Sequence, residues 1–339
     1  MKVLITDSVD DVCISIIKNS GLEYQYIPES GKKEKLDAIQ DAHGLIVRSG
    51  TIVDNRMLAC ASNLKVIGRA GVGVDNIDII NATRKGVVVM NTPDVNTISA
   101  AEHAIALILT ISRNPHIGHY DLINGIWSRN NLIGTELQNK IIGIIGLGKI
   151  GREVMDRCLS FKMKIMGYDP FINKELFSQS DIEITDLDNV VQKADFLTLH
   201  LPLNDKTRNL FDFNRLKMMK KSAKIINVAR GGIINEHDLS KALNQNLISG
   251  AAIDVFEQEP LNKTNPLLSA KNIVLTPHLG ASTIEAKKGV SRAISEQIRD
   301  YLLYSKLANA INMPISNMSL LNDIKPFLNL GELLGDIIS

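Results

Sequence analysis

The sequence carries almost no excess of charge: 38 Lys and Arg against 37 Asp and Glu over 339 residues leave a formal net charge of +1. A chain so balanced has no long-range pull toward nucleic acid or an anionic membrane surface, and neither partner is expected. Cysteine is scarce too. Cys13, Cys60 and Cys158 are odd in number and include no C-x-x-C pair, which suits buried free thiols in a reducing compartment. No apolar run reaches the roughly 20 residues of a membrane-spanning helix. The opening MKVLITDS lacks the long apolar segment and small-residue cleavage site of a secretory signal, so a cytoplasmic location is expected. Fixed-period repeats and low-complexity segments are absent as well.

What remains is a globular chain, 45% hydrophobic and long enough for two domains with full cores. Its organising stretch is IIGIIGLGKIGREVMDRCLSFKMKIMGYD, residues 141–169. IIGII reads as a strand buried on both faces. It runs into Gly146, Gly148 and Gly151 in a G-x-G-x-x-G, followed by a helical pattern and a second apolar run. The first glycine permits a tight turn, the second lets backbone N–H groups approach a pyrophosphate, and the third lets helix and strand pack closely. Asp169 ends the second strand 18 residues after Gly151, placed to hold the adenosine ribose hydroxyls. The cofactor expected is NAD.

Earlier in the chain, KVLIT, LEYQYI, GLIVRS and LKVIGR alternate with helical stretches, so residues 1–95 read as a parallel α/β domain of their own. NTPDVNTISAAEHAIALILTISR (91–113) opens with turn and cap residues and continues as a buried helix. Residues 114–135 have weak periodicity and look like an excursion from the core. DFLTLHLPL, AKIINVARGG, LISGAAIDVF and NIVLTPHLG supply further strands, and a long amphipathic pattern covers 283–304. The fold class expected is α/β with two doubly wound parallel sheets.

Ligands of open parallel sheets bind beyond the carboxyl ends of the strands. Arg230, Glu259 and His278 fall just there. Singly, each is explained as a surface arginine, a loop acid and a hydrogen-bonded loop histidine. Together, downstream of a dinucleotide fingerprint, they form a hydride-transfer set: a cation for a substrate carboxylate, a histidine for the hydroxyl proton and an acid to orient it. His116 and His119 lack acidic or thiol partners at ligand spacing, so no metal is expected. His200 reads as a structural hydrogen-bonding residue, and Lys32, Lys33 and Lys35 as a solvated helix face.

GLGKIG, NVARGGIINE, AAIDVFEQEP and TPHLGAST, in that order, resemble the D-2-hydroxyacid dehydrogenase family. RAGVGVDNID and MNTPDVNTISAAEHAIALIL are similar to its phosphoglycerate dehydrogenase branch, and the likeness covers roughly residues 2 to 312. The resemblance implies a Rossmann NAD-binding domain, 96–282, inserted in a flavodoxin-like substrate-binding domain formed by 1–95 and 283–339. It implies that Arg230 grips the substrate carboxylate, that Glu259 holds the imidazole of His278, and that His278 removes the hydroxyl proton. Lys149, Ile150, Val228, Ala229, Gly280 and Ala281 would line the cofactor, with Leu201 as another wall. Asp254 matches a nicotinamide-side contact and reads equally as a structural acid at a strand end. PFLNLGELLGDIIS (326–339) resembles the first part of the C-terminal extension of longer members.

On the substrate side, Gly71, Val72 and Gly73 can present backbone N–H groups to a carboxylate. Arg48 and Arg69 sit at strand ends, and Arg129 lies in the excursion that would pack against a second subunit of a homodimer or homotetramer. Three cations exceed the need of one small carboxylate, which favours a phosphorylated 2-hydroxy acid as the small-molecule partner. The activity implied is NAD-dependent oxidation of D-3-phosphoglycerate to 3-phosphooxypyruvate. A hydroxypyruvate or glyoxylate reductase and an NADH-sensing, corepressor-like binding protein are the alternatives left open at this level.

Overall fold

The computed structural model describes residues 1–172 and 182–313, together with 326–327, 330–331 and 333–335. The C-terminal extension expected over 326–339 thus lies partly outside the described residues. The chain divides into two compact units, Met1–Asn96 with Thr283–Ser339, and Thr97–Ser282.

The first unit runs β1 (Lys2–Ile5), α1 (Asp11–Asn19), β2 (Glu23–Tyr26), α2 (Lys32–Ala38), β3 (Gly44–Val47), α3 (Asn55–Cys60), β4 (Val66–Arg69), α4 (Ile79–Arg84) and β5 (Val88–Met90). All its strand pairs are parallel, in the order β2-β1-β3-β4-β5, which is the flavodoxin-like order. Asp10, Asp54 and Asp78 start α1, α3 and α4 by accepting a backbone N–H inside the first turn, a cap worth about 1 kcal/mol each. Leu4, Leu45, Val47, Ile67 and Val89 project to one face of the sheet, where α2, α3 and α4 pack. Val3, Ile5, Ile46, Val66 and Val88 project to the other, covered by α1 and by the helix Ile284–Tyr304. From that helix Ile294, Ile298 and Leu302 enter the core, a burial that contributes roughly 5–9 kcal/mol at the usual worth of such side chains.

The second unit runs α5 (Thr97–Arg113), α6 (Pro115–Ile123), β6 (Ile141–Ile145), α7 (Lys149–Ser160), β7 (Lys164–Tyr168), β8 (Ile182–Ile184), α8 (Leu187–Lys193), β9 (Phe196–Leu199), α9 (Phe213–Met218), β10 (Lys224–Asn227), α10 (Glu236–Asn244), β11 (Gly250–Ile253) and β12 (Ile273–Leu275). Then α11 (Ile284–Tyr304) returns the chain to the first unit. The seven strands are parallel in the order β12-β11-β10-β9-β6-β7-β8. The chain builds outward from β6 to β8, then returns to lay β9 on the other side of β6. That reversal is the topological switch point where sheets of this kind take their ligands. β9 and β11 are buried along their whole length, which is why they read as largely apolar runs without polar alternation. Among the described residues no helix is long and apolar enough to cross a membrane.

Two details depart from the sequence expectation. The excursion over 114–135 contains a helix, α6, begun by Pro115 after Asn114 in the left-handed region at φ 55°. None of its residues is buried, and a helix with no buried face carries no 3.6-residue signal to read. Of the three cysteines, Cys13 and Cys158 are buried, but Cys60, at the end of α3, is only partly covered.

Candidate active site

The glycine turn is built at the switch point. Gly146 takes φ +95°, and a Cβ there would lie 2.4 Å from the carbonyl oxygen of His200 at the end of β9. A Cβ on Gly151 would lie 2.0 Å from the carbonyl oxygen of Gly146, so α7 reaches its seat only because that position has no side chain. Beside Gly148 there is open space, and no side chain caps the first turn of α7. The positive dipole end of α7 therefore faces that space, where an anion such as a pyrophosphate is favoured. Lys149 is exposed and Ile150 partly covered in that first turn, with Leu201 following β9.

Asp169 follows β7 and faces this turn. Its Oδ2 accepts from the Leu147 N–H at 2.9 Å and its Oδ1 from the Phe171 N–H at 2.9 Å. The acid thus ties the turn down while keeping lone pairs for further donors. The chemistry of this set, the positive end of a helix beside a carboxylate at the next strand end, fits a dinucleotide.

Each candidate for the reaction is held by a buried polar residue at a strand or helix end. After β10, Asn227 is 2% exposed. Its Oδ1 accepts from Ala229 N–H at 3.0 Å and its Nδ2 donates to the Arg230 carbonyl at 2.9 Å, which fixes the turn through Val228 and Ala229. The Arg230 guanidinium donates to the Ala229 carbonyl at 2.7 Å. After β11, Glu236 at the start of α10 reaches the next loop, accepting from Glu257 N–H at 2.7 Å and from the Asn265 amide. That loop presents Glu259.

Glu259 and His278 meet directly. The Nδ1–H of His278 donates to Oε2 of Glu259 at 2.6 Å, and Oε1 accepts from Phe256 N–H at 3.0 Å. Burial works against the ionised form of Glu259, but the bonds from His278 and Phe256 outweigh it and hold the carboxyl below its ordinary range. With Nδ1 bonded to a carboxylate, Nε2 of His278 is the free position of the ring.

His278 itself sits at φ +55°, in the left-handed region, and Asp254 holds it there. Its N–H donates to the Asp254 carbonyl at 2.9 Å. The Asp254 carboxylate, wholly buried, accepts from Leu279 N–H at 2.7 Å, Gly280 N–H at 2.9 Å and the Thr276 hydroxyl at 2.6 Å. Nε2 of His103 lies 3.1 Å from the same carboxylate. Burial opposes ionisation, yet the bonds from His103, Thr276 and Leu279 prevail and keep the Asp254 carboxyl low. Through Thr276, Leu279 and Gly280 the Asp254 carboxylate ties down the 276–280 turn, which ends at Gly280 beside Ala281. Asn227, Glu236, Thr276 and His103 were not singled out in the sequence; the one signal was a polar residue closing an apolar strand, as in IIN and AAID.

The remaining candidates lie elsewhere. In the first unit, Asp7 accepts from Arg48 N–H at 2.6 Å and Thr51 N–H at 3.0 Å, while Asn76 donates to the carbonyls of Arg48 and Thr51 at 2.7 and 2.6 Å. The loop carrying Arg48 is thereby clamped from both sides. The Arg69 guanidinium lies across Gly71, where a Cβ would fall 1.5 Å from its Nη1. Gly71 N–H already donates to the Arg69 carbonyl at 2.9 Å, leaving the amides of Val72 and Gly73 as the donors of that loop. Arg129 is exposed in a short 3-10 turn of the second unit and makes no hydrogen bond or ion pair through its side chain among the described residues.

Known proteins resemble both the sequence and the fold. Residues 105–280, just over half of the chain, match the NAD-binding domain of the D-isomer specific 2-hydroxyacid dehydrogenases. The chain is 44% identical over its whole length to a D-3-phosphoglycerate dehydrogenase of Methanocaldococcus jannaschii, of which it covers 64%. It is 40% identical to the Homo sapiens protein of the same name, covering 99% of this chain and 63% of that one. The chain thus spans under two thirds of the length of these relatives. A solved NAD-dependent formate dehydrogenase of Staphylococcus aureus, in complex with NAD, superimposes with a TM-score of 0.82 at 27% identity, covering 92% of this chain and 99% of that one. With the NAD-binding fingerprint, the parallel sheets and the histidine–glutamate pair in place, the chain belongs to the D-isomer specific 2-hydroxyacid dehydrogenase family.

Proposed function

We propose that the chain oxidises D-3-phosphoglycerate to 3-phosphooxypyruvate with NAD as hydride acceptor. The observation that carries this is the 2.6 Å bond between His278 Nδ1 and Glu259 Oε2 at the carboxyl end of the sheet that bears the dinucleotide turn, in a chain 44% identical to a D-3-phosphoglycerate dehydrogenase. Neutral His278 takes the substrate hydroxyl proton on Nε2, and the Glu259 carboxylate stabilises the imidazolium that results. Arg230 binds the substrate carboxylate through a charge-assisted fork. Bound NAD supplies the acceptor for the hydride leaving C2. In reduction the imidazolium returns its proton to the forming hydroxyl. Gly146, Gly148 and Gly151 shape the cofactor seat and Asp169 selects the adenosine ribose, with Lys149, Ile150 and Leu201 along one side and Val228, Ala229, Gly280 and Ala281 along the other. Arg48 and Arg69 serve the phosphate, and the amides of Val72 and Gly73 the carboxylate.

The test is NADH oxidation with phosphooxypyruvate, hydroxypyruvate and glyoxylate side by side. A kcat/KM preference for phosphooxypyruvate of 10-fold or more is expected, from charge-assisted bonds of about 1.5–3 kcal/mol each. Equal rates on hydroxypyruvate would transfer the assignment to a hydroxypyruvate or glyoxylate reductase. NADH binding without turnover on any of the three would point to a sensing role.

We further infer a homodimer or homotetramer joined through the excursion. Ile123, Ile126, Trp127 and Ile133 are exposed there, Trp127 to 80%, and apolar clusters of this kind mark interaction surfaces. Sedimentation of Trp127→Glu should give the monomer, with Arg129→Ala as a milder variant. A wild type that sediments as a monomer would remove the inference.

A further inference from the structure

His103 projects from α5 toward the end of β11, and its ring is only 16% exposed. Nε2 lies 3.1 Å from Asp254 Oδ1 and 3.2 Å from Thr276 Oγ1. The Thr276 hydroxyl has a single proton, and its 2.6 Å contact with Asp254 Oδ1 uses it. An unprotonated Nε2 would then face two acceptors. The ring must carry its proton on Nε2 and share it between the carboxylate and the hydroxyl oxygen. His103, Asp254 and Thr276 form a closed triangle beneath the 276–280 turn, and Asp254 passes that order on to the amides of Leu279 and Gly280 and, through its carbonyl, to His278.

We propose that His103 is a positioning residue for hydride transfer: its Nε2–H fixes the Asp254 carboxylate and Thr276, and through them the strained turn that aims the imidazole of His278. This rests on the dehydrogenase reading given above for the role of His278, while the structural part concerns the triangle alone. Its function is separate from cofactor affinity. The adenosine half of the site is built on Gly146–Gly151 and Asp169, none of which touches His103. An imidazole left about 1 Å out of place costs on the order of 100-fold in rate, so loss of the Nε2–H should reduce kcat by about 10- to 100-fold.

The experiment compares wild type with His103→Leu, which fills the space without a donor, and His103→Gln, whose amide N–H can reach Asp254. Hydrogen exchange is measured on the full chain without cofactor. In His103→Leu the amides of Leu279 and Gly280 should exchange at least about 10-fold faster while the amides of β9 and β10 keep their protection, as a local opening requires. The leucine variant should bind ADP-ribose with an affinity within about threefold of wild type and lose kcat as stated. His103→Gln should recover both exchange protection and most of kcat. Unchanged exchange at Leu279 and Gly280 would overturn the proposal. So would a glutamine variant as impaired as the leucine one, or protection lost equally in β9 and β10. Should the leucine variant not fold, nitrogen-15 NMR of the wild-type ring decides: an Nε2-protonated tautomer supports the triangle and an Nδ1-protonated one refutes it. If wild type turns over none of the three 2-oxo acids, the activity assignment fails, and exchange and tautomer still decide the role of His103.

Discussion

His278 and Glu259 share a hydrogen bond of 2.6 Å between Nδ1 and Oε2, and the second oxygen of Glu259 is held by the backbone N–H of Phe256. The acid is thus fixed independently of the histidine, so the two should separate under mutation. His278→Ala removes the proposed proton acceptor and should lower kcat by about 10²–10⁴-fold, with NADH affinity kept. Glu259→Gln keeps the shape and the Phe256 bond and should cost less, about 10–100-fold, at or below the lower bound of what a positioned acid–base group supplies. Stopped-flow turnover with parallel fluorescence titration checks both. A His278→Ala enzyme at near-wild-type rate would take His278 out of the mechanism.

The carboxyl of Glu259 is held below its ordinary range. A depressed folded-state pKa contributes stability that is fully present above the unfolded carboxylate value of about 4.3 and is lost as pH falls through the lower folded value. The pair should therefore persist across pH 5–8. NMR of the His278 ring protons over that range should show the Nδ1–H bond throughout, and loss of the bond near pH 6 would contradict the assignment.

Burial of the His200 imidazole, bonded to the Thr198 hydroxyl at 3.0 Å, pushes its pKa down to about 4. The unfolded chain takes up this proton near pH 6.5, before the folded protein does. Stability should consequently fall as pH drops from about 6.5 to 4 and level off below, by on the order of 1–3 kcal/mol from this residue. Denaturant titrations of wild type and His200→Gln should converge toward pH 4. Parallel pH profiles for the two would assign the loss to other groups.

Asp169 faces the cofactor seat with a carboxylate that also ties Leu147 to Phe171. A 2′-phosphate there would meet like charge, so wild type should prefer NADH clearly over NADPH. Asp169→Ala should narrow that preference and also weaken NADH binding, because the turn loses its tether. Equal use of NADPH by wild type would dismiss the role given to Asp169.

Arg48→Ala tests the phosphate. With the loop clamped by Asp7 and Asn76, truncation of the side chain should leave the backbone in place. We expect a loss of about 10- to 150-fold in kcat/KM on phosphooxypyruvate, the worth of one charge-assisted bond, and little change on hydroxypyruvate. Equal losses on both substrates would move Arg48 to the shared carboxylate.

Much of this molecule was legible as pattern. IIGII, FLTL and GAAI are largely apolar runs because both faces of β6, β9 and β11 are covered, and the glycine spacing reports a turn that tolerates no side chain at Gly146 or Gly151. Arg230, Glu259 and His278 could be proposed because strand ends in a parallel sheet all open on one side. The helix α6 was not legible, since it buries nothing against its own unit. The holding groups escaped for another reason. His103 and Thr276 act across contacts between residues far apart in the chain, 173 positions for that pair, and no local spacing records such a pairing, while Asn227 acts only two and three positions along its own turn, where no periodicity marks it. Nor could the sequence tell that the Gly71 amide is already bonded to its neighbour's carbonyl.

The helix that closes the first unit has a consequence for how the protein comes into being. Ile294, Ile298 and Leu302 of α11 cover a face of the sheet whose last strand, β5, ends at Met90. On the ribosome, at about 5–20 residues per second, some 10–40 s separate the synthesis of that strand from the arrival of its cover. During that interval Ile46, Val66 and Val88 face outward, while the intervening unit can already complete its own core. The order of synthesis is thus the reverse of the order of folding, with the part made first becoming native last. The nascent chain therefore has a window of adhesive β-surface in which a chaperone, or a second nascent chain, finds its target.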